Sequence, residues 1–192
     1  MQGLAMIFNR IRRFRDDVQA VAAVEFALIL PLLIGLYLGT IEASMLYAAD
    51  HKVATVASTM ADLVSRENGE IAESTLTTYF AAASSIMHPY TTTGLVQIVS
   101  LLKIDSAGVA TVKWSVPNGT AEGRDVDSDY PLAATAQINI LARGASGWLV
   151  VSEIEYPHNS IINWIISSPI NLRHVEYFLP RFPAEIVLKT GV

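Results

Sequence analysis

The stretch Ala20–Ile41, AVAAVEFALILPLLIGLYLGTI, constrains this chain more than any other part of it. Its only ionisable side chains are Glu25 and Tyr37. As a helix its 22 residues reach about 33 Å, enough to cross a hydrocarbon core of about 30 Å. A buried core helix is rarely apolar all round for six turns, because some face normally meets water. A secretory signal peptide has a shorter apolar region, about 7–15 residues. Small residues near a cut do occur at Leu46-Tyr47-Ala48-Ala49, but the helical pattern runs straight through them. Composition agrees with a membrane span: 52% of residues are hydrophobic and 16% charged, against about 25% charged in soluble domains.

The flanks set an expected orientation. Arg10, Arg12, Arg13 and Arg15 precede the span, whereas Lys52 is the one base in the 20 residues after Ile41. The positive-inside rule then places the N-terminus in the cytoplasm and everything after about residue 45 outside, which in a bacterium is the periplasm. The expected organisation is a basic cytoplasmic leader over 1–17 and a transmembrane helix over 18–45. A periplasmic helical stalk with a second helix follows over 46–90, then a periplasmic sheet domain over 91–192. The formal charge of −5 divides accordingly, +2 for residues 1–20 and −7 for the remainder.

Beyond the span, Val53, Val56, Ala57, Met60 and Val64 form one helical stripe, with Asp50, Lys52, Thr55, Thr59 and Asp62 on other faces. The spacing predicts one helix from about Asp17 to Arg66, ended by the Asn68-Gly69 turn signal. A second amphipathic helix is expected over Ile71–Met87, stopping before Pro89. From Leu95 the period changes. Leu95–Ile104 and Val109–Val116 flank Asp105-Ser106-Ala107-Gly108 and read as a hairpin. Trp148–Tyr156 alternates as a strand, with Glu153 and Glu155 on one side and Ile154 and Tyr156 on the other. Asn171–Phe178 is a further strand candidate. Asn118–Tyr130 reads as a loop, Pro131–Arg143 and Ser160–Ile166 as short helices, and Phe178–Val192 is too irregular to place. The fold class is α+β, a long helix and a helical arm followed by a small antiparallel sheet.

Site chemistry is sparse. With no cysteine, thiolate metal sites, CxxC redox chemistry and disulfides are excluded. An isoelectric point near 5.3 argues against nucleic acid as a partner. His51, His88, His158 and His174 lack close ligand spacing, and no GxSxG, P-loop or GxGxxG occurs. Trp114, Trp148 and Trp164 read as sheet and helix core. Asp125, Asp127 and Asp129 alternate like the start of a calcium loop. However, Tyr130 stands where an EF-hand has Gly and Ala136 where it has Glu, so a solvated acidic loop is the simpler reading. No cofactor and no enzymatic activity are expected.

Glu25 is the exception within the span, since a carboxylate at the bilayer centre costs about 2.5–3.5 kcal/mol. One reading is a snorkelling, inert Glu near the interface. The other is a carboxylate that meets a cation in an assembly. Gly35 and Gly39 form a GxxxG pair that lets two helix backbones approach closely. Pro31 removes one amide and loosens its turn, which suits packing in a bundle.

The block Ala20-Val-Ala-Ala-Val-Glu-Phe-Ala-Leu-Ile-Leu-Pro31, after its Arg-rich leader, resembles the N-terminus of TadE/TadG-like proteins of the tight-adherence (Flp-type) pilus machinery. These are similar to type IV pseudopilins. The resemblance implies a prepilin-peptidase cut between Ala20 and Val21, with Glu25 fifth in the mature chain and facing the freed amine of a neighbouring subunit. The pattern has Gly where this chain has Ala20. Ala61-Asp62-Leu63-Val64-Ser65, Trp114-Ser115, Ile154-Glu155-Tyr156 and, more loosely, Pro180-Arg181 are also similar to family segments. The expected function is that of a minor pseudopilin or assembly component of a Tad-type pilus. Its partners would be other pilin-like or machinery subunits, the inner membrane and prepilin peptidase. The alternative is a membrane-anchored periplasmic binding or sensory module that never enters a fibre.

Overall fold

The computed structural model describes residues 18–132 and 147–190, with side chains from residue 21 onward. The expected leader over 1–17 and nearly all of the helix expected over Pro131–Arg143 lie outside the described residues. One helix, α1, runs over Val18–Ser65 with Pro31 inside it. It is long and apolar enough to cross a membrane. The chain divides into two compact units at Met45 and Leu46.

In the first unit, α1 shows large apolar side chains all round. Leu28, Leu32, Leu36 and Tyr37 are each more than 60% exposed. The hydroxyls of Thr40 and Ser44 donate to the Leu36 and Thr40 carbonyls, both at 2.8 Å. Such back-bonding satisfies a hydroxyl within its own helix, which suits a helix in lipid.

In the second unit, the stripe expected on α1 is the core seam: Val53, Val56, Ala57, Met60 and Val64 are all fully buried. The chain turns at Gly69, where φ is +83°, a backbone setting that glycine adopts without a Cβ clash. The helix expected over Ile71–Met87 is then corrected at its start. Glu70–Ala72 form strand β1, and helix α2 begins at Glu73, ends at Ser84 and continues as a 3-10 turn over Ser85–Met87. Ile71 is drawn into a strand because β1 pairs in parallel with β6, Val187–Lys189, placing Ile71 opposite Leu188. That strand lies in the segment left unplaced by sequence. Leu76, Phe80, Ala83 and Met87 face the core. Lys52 Nζ donates to the Ile86 carbonyl at 2.9 Å, so the end of α2 lies beside the Leu46 end of the unit.

The main sheet has strand order β3-β2-β4-β5 and is antiparallel throughout, with β2 Val96–Ile104, β3 Ala110–Asn118, β4 Gly147–His158 and β5 Ile170–Phe178. The β2–β3 turn forms as expected. Asp105 Oδ1 accepts the amides of Ala107 and Val109 at 2.9 and 2.8 Å, and Gly108 supplies the positive φ. A bulge opposite Leu101/Leu102 changes the face of β3 at Lys113. Trp114 therefore faces the helices while Val112 faces the other side. Val99, Leu101, Trp114, Val150, Ile154 and Tyr156 pack with α1 and α2 in one core. The opposite face carries a smaller cluster of Leu102, Ile104, Val112, Leu149 and Val151 beneath Tyr130.

Two further expectations are corrected. Ser160–Ile166 forms no helix; it is a turn held by Ile165 N and Ile166 N on the Ile162 carbonyl. Trp164 is not core but 76% exposed on that turn. An apolar run suggested burial, yet the turn is too short to bring its own apolar side to the sheet.

Candidate functional site

The residues singled out in the N-terminal block lie on one continuous helix. Ala20 and Val21 are helical, and Val21, Glu25, Pro31, Gly35 and Gly39 are exposed. A Cβ built on Gly35 or Gly39 would meet nothing within 4 Å. The two glycines thus form an open notch, four residues apart, where another backbone can approach. Glu25 lies about 15 Å along the axis from Gly35, on the same rod.

The acidic loop is arranged differently from the calcium pattern. Asp127 has φ of +61° and its Oδ1 accepts Lys113 Nζ at 2.8 Å. Asp125 uses its backbone carbonyl to accept from Ser128, and Asp129 is bridged by backbone to Thr111. Among the described residues, no three His, Asp or Glu side chains gather as a metal ion requires. Of the histidines, His158 is buried and packs edge-on to Tyr90, while His174 Nε2 lies 2.8 Å from Asp50 Oδ1.

A charged cluster that sequence reading did not single out sits on the sheet face away from the helices. Glu153 is 3% exposed. Arg124 forks onto it, Nε to Oε1 at 3.0 Å and Nη2 to Oε2 at 2.6 Å, and Arg173 Nη2 reaches Oε2 at 2.7 Å. Arg173 Nε also meets Glu155 at 3.0 Å. Burial pushes the Glu153 carboxyl up, but hydrogen bonds from Arg124 and Arg173 outweigh it and hold the group below its ordinary 4.5. Burial, followed by the Glu153 charge, pushes the neighbouring Tyr130 hydroxyl up. The arrangement is closed and fully engaged, a clamp between β4, β5 and the 119–130 loop.

Because the folded-state value of Glu153 is depressed, its stabilisation is present above the ordinary carboxylate range and is lost as pH falls through the folded value. Glu153→Gln is expected to cost about 1–3 kcal/mol near neutral pH, since both arginines retain access to water. The variant should also lose less stability than the parent on acidification. Thermal melts at neutral and acidic pH check this; parallel pH dependence in the two proteins would remove Glu153 from the acid response.

Three of the weaker family-like segments meet around the C-terminal segment. Arg181 N donates to the Ser65 carbonyl at 2.8 Å, and Arg181 Nη2 reaches Asp62 Oδ1 at 3.1 Å. Arg66 also binds Asp62, and hydrogen bonds from Arg66 and then Arg181 hold the Asp62 carboxyl below its usual range. Trp114 Nε1 donates to the Ile186 carbonyl at 2.7 Å. Val187 N donates to the Gly69 carbonyl at 2.9 Å, and Lys189 pairs with Glu70. Asp62, Trp114 and Arg181 thus share one structural task, strapping the last strand to the end of α1. Nearby, a hydrogen bond to Glu67 leads burial in pushing the Tyr79 hydroxyl up to about 12.

Comparison with known proteins converges on the same helix. No curated protein and no solved structure matches the chain. Residues 20–62 match the family described as TadE-like protein, from the candidate processing junction to the aspartate that binds Arg181. Over this N-terminal segment, less than half of its length, the chain is similar to the TadE-like family.

Proposed function

We propose that this protein is a minor pseudopilin or assembly component of a Tad-type pilus, acting by helix packing and docking rather than by catalysis. The observation that carries the reading is the helix of residues 21–41. It has an uninterrupted apolar surface, one carboxylate at Glu25 and an open Gly35/Gly39 notch, within the stretch matched to the TadE-like family. Such a surface requires lipid or other apolar helices around it. In this reading the N-terminus is cytoplasmic, the domain from Leu46 is periplasmic, and prepilin peptidase cuts between Ala20 and Val21. The freed amine of one subunit then pairs with Glu25 of another, each offsetting part of the other's desolvation.

N-terminal sequencing of the chain from membranes and from sheared pilus fractions tests the proposal. The expected result is a chain beginning at Val21 that co-fractionates with pilus or machinery subunits. A chain found only with its full N-terminus, and never with those subunits, would favour a membrane-anchored binding or sensory module instead.

A further inference from the structure

The second unit has two distinguishable ends. His174 of β5 contacts Asp50 near the start of the unit's helix, whereas Arg181, beyond the end of β5, contacts Asp62 and Ser65. Strand β5 therefore runs in the same direction as α1, and its beginning points to the Leu46 end. The turn that precedes it, residues 159–169, lies at that end. So does the 88–95 segment, because Ile86 accepts from Lys52 and a Cβ on Gly94 would strike Pro157 at the end of β4. Neither segment contains a Lys, Arg, Asp or Glu.

The 159–169 turn is apolar on its outer side. Ile161, Trp164 and Ile165, spaced i, i+3 and i+4, are 57%, 76% and 60% exposed. Its backbone is organised internally, with Ile162 N on Ser160 Oγ at 3.1 Å, Ile165 N on the Ile162 carbonyl at 2.8 Å and Ile166 N on the same carbonyl at 3.0 Å. Asn159, Ser160, Asn163, Ser167 and Ser168 supply uncharged polar groups around it.

We infer that the 159–169 turn is a membrane-surface contact, with Trp164 and Ile165 seated in the headgroup and upper acyl region of the bilayer that α1 crosses. The inference rests on reading residues 21–41 as a membrane span. Tryptophan prefers this interface because its ring is apolar and its N–H is polar. A protein-docking patch would ordinarily carry a charged or arginine-bearing rim for register, and the two segments at this end supply no Lys, Arg, Asp or Glu. The bilayer is also held at high effective concentration, since the unit begins at Leu46 on the same helix that makes the span. The contact would fix the tilt of the outer domain over the membrane before any assembly step.

The chain has no cysteine, so single-cysteine spin labels can be placed cleanly. Full-length I165C and W164C, each in vesicles of phosphatidylethanolamine and phosphatidylglycerol, are compared with S106C at the β2–β3 turn and with L32C inside the span. Both sites of interest are solvent-facing, so the labels leave the core untouched. Preferential relaxation by oxygen over a water-soluble nickel chelate should be several-fold higher at 164 and 165 than at 106, approaching that at 32. In unlabelled protein, brominated acyl chains should quench the fluorescence that W164F removes. Labels at 164 and 165 that behave like 106, while 32 reads as lipid, would overturn the membrane contact and leave the span standing. Protection from both reagents would overturn it in favour of a protein interface. A label at 32 that reads as water would overturn the span and, with it, this inference.

Discussion

Alanine at Trp114 is expected to destabilise the second unit by about 3–5 kcal/mol, the largest stability effect of any single substitution considered. Two losses combine. The indole is 6% exposed and packs in the core between sheet and helices, so truncation leaves a cavity that the surrounding strands cannot fill. Its Nε1 also holds the carbonyl of fully buried Ile186, and an orphaned buried carbonyl costs about 1–3 kcal/mol. W114F separates the terms, since it keeps most of the ring but loses the donor, and should cost about 1–3 kcal/mol. The signature that distinguishes a strap from ordinary core is local. Amide exchange at Val187 and Leu188 should accelerate in both variants more than exchange in β2. Uniform acceleration across all strands would leave Trp114 as core alone and remove its role in holding β6.

The same residue shows what the sequence made legible. Trp114 was readable as a buried strand residue, but its partner lies 72 positions away and no local pattern announces it. The stripe from Val53 to Val64 was legible because helical period and burial are the same fact seen twice. The β2–β3 hairpin and the strands near Trp148–Tyr156 and Asn171–Phe178 were legible for a similar reason, with alternation bounded by turn chemistry. Strand β1 was not, because three residues carry no period and Ile71 also fits the amphipathic pattern of α2. Only its pairing with Leu188 decides the matter. The Glu153 clamp escaped for a related reason. Glu153 and Glu155 share a side of β4, yet Arg124 arrives from a loop and covers only the first, so their burial differs. Trp164 misled because an apolar run is read as core until a turn shows which way it faces. The candidate helix site, by contrast, is read from composition alone: one acid and two spaced glycines in an apolar rod.

That composition sets the second large effect. Glu25→Gln is expected to reduce assembly by about tenfold or more while membrane insertion stays intact, because loss of one net ion-pair contact of about 1.4 kcal/mol is already a factor of ten. The two readouts should move in opposite senses. A carboxylate in a membrane helix opposes insertion, by up to about 2.5–3.5 kcal/mol at mid-bilayer and less toward the interface, so the amide should insert at least as well. Assembly depends on a different term. If the neighbouring amine is the partner, glutamine supplies a dipole in place of a charge, and the amine is left largely uncompensated in low dielectric. Glu25→Asp retains the charge on a shorter stem and should recover part of the loss, whereas a purely steric role for Glu25 would rank Gln above Asp. Immunoblots of the membrane fraction and of sheared pili, compared across the parent, Gln and Asp forms, read both terms at once. Normal piliation with Gln at this position would refute the pairing of Glu25 with a neighbouring amine and leave it as an interfacial carboxylate on an otherwise lipid-adapted helix.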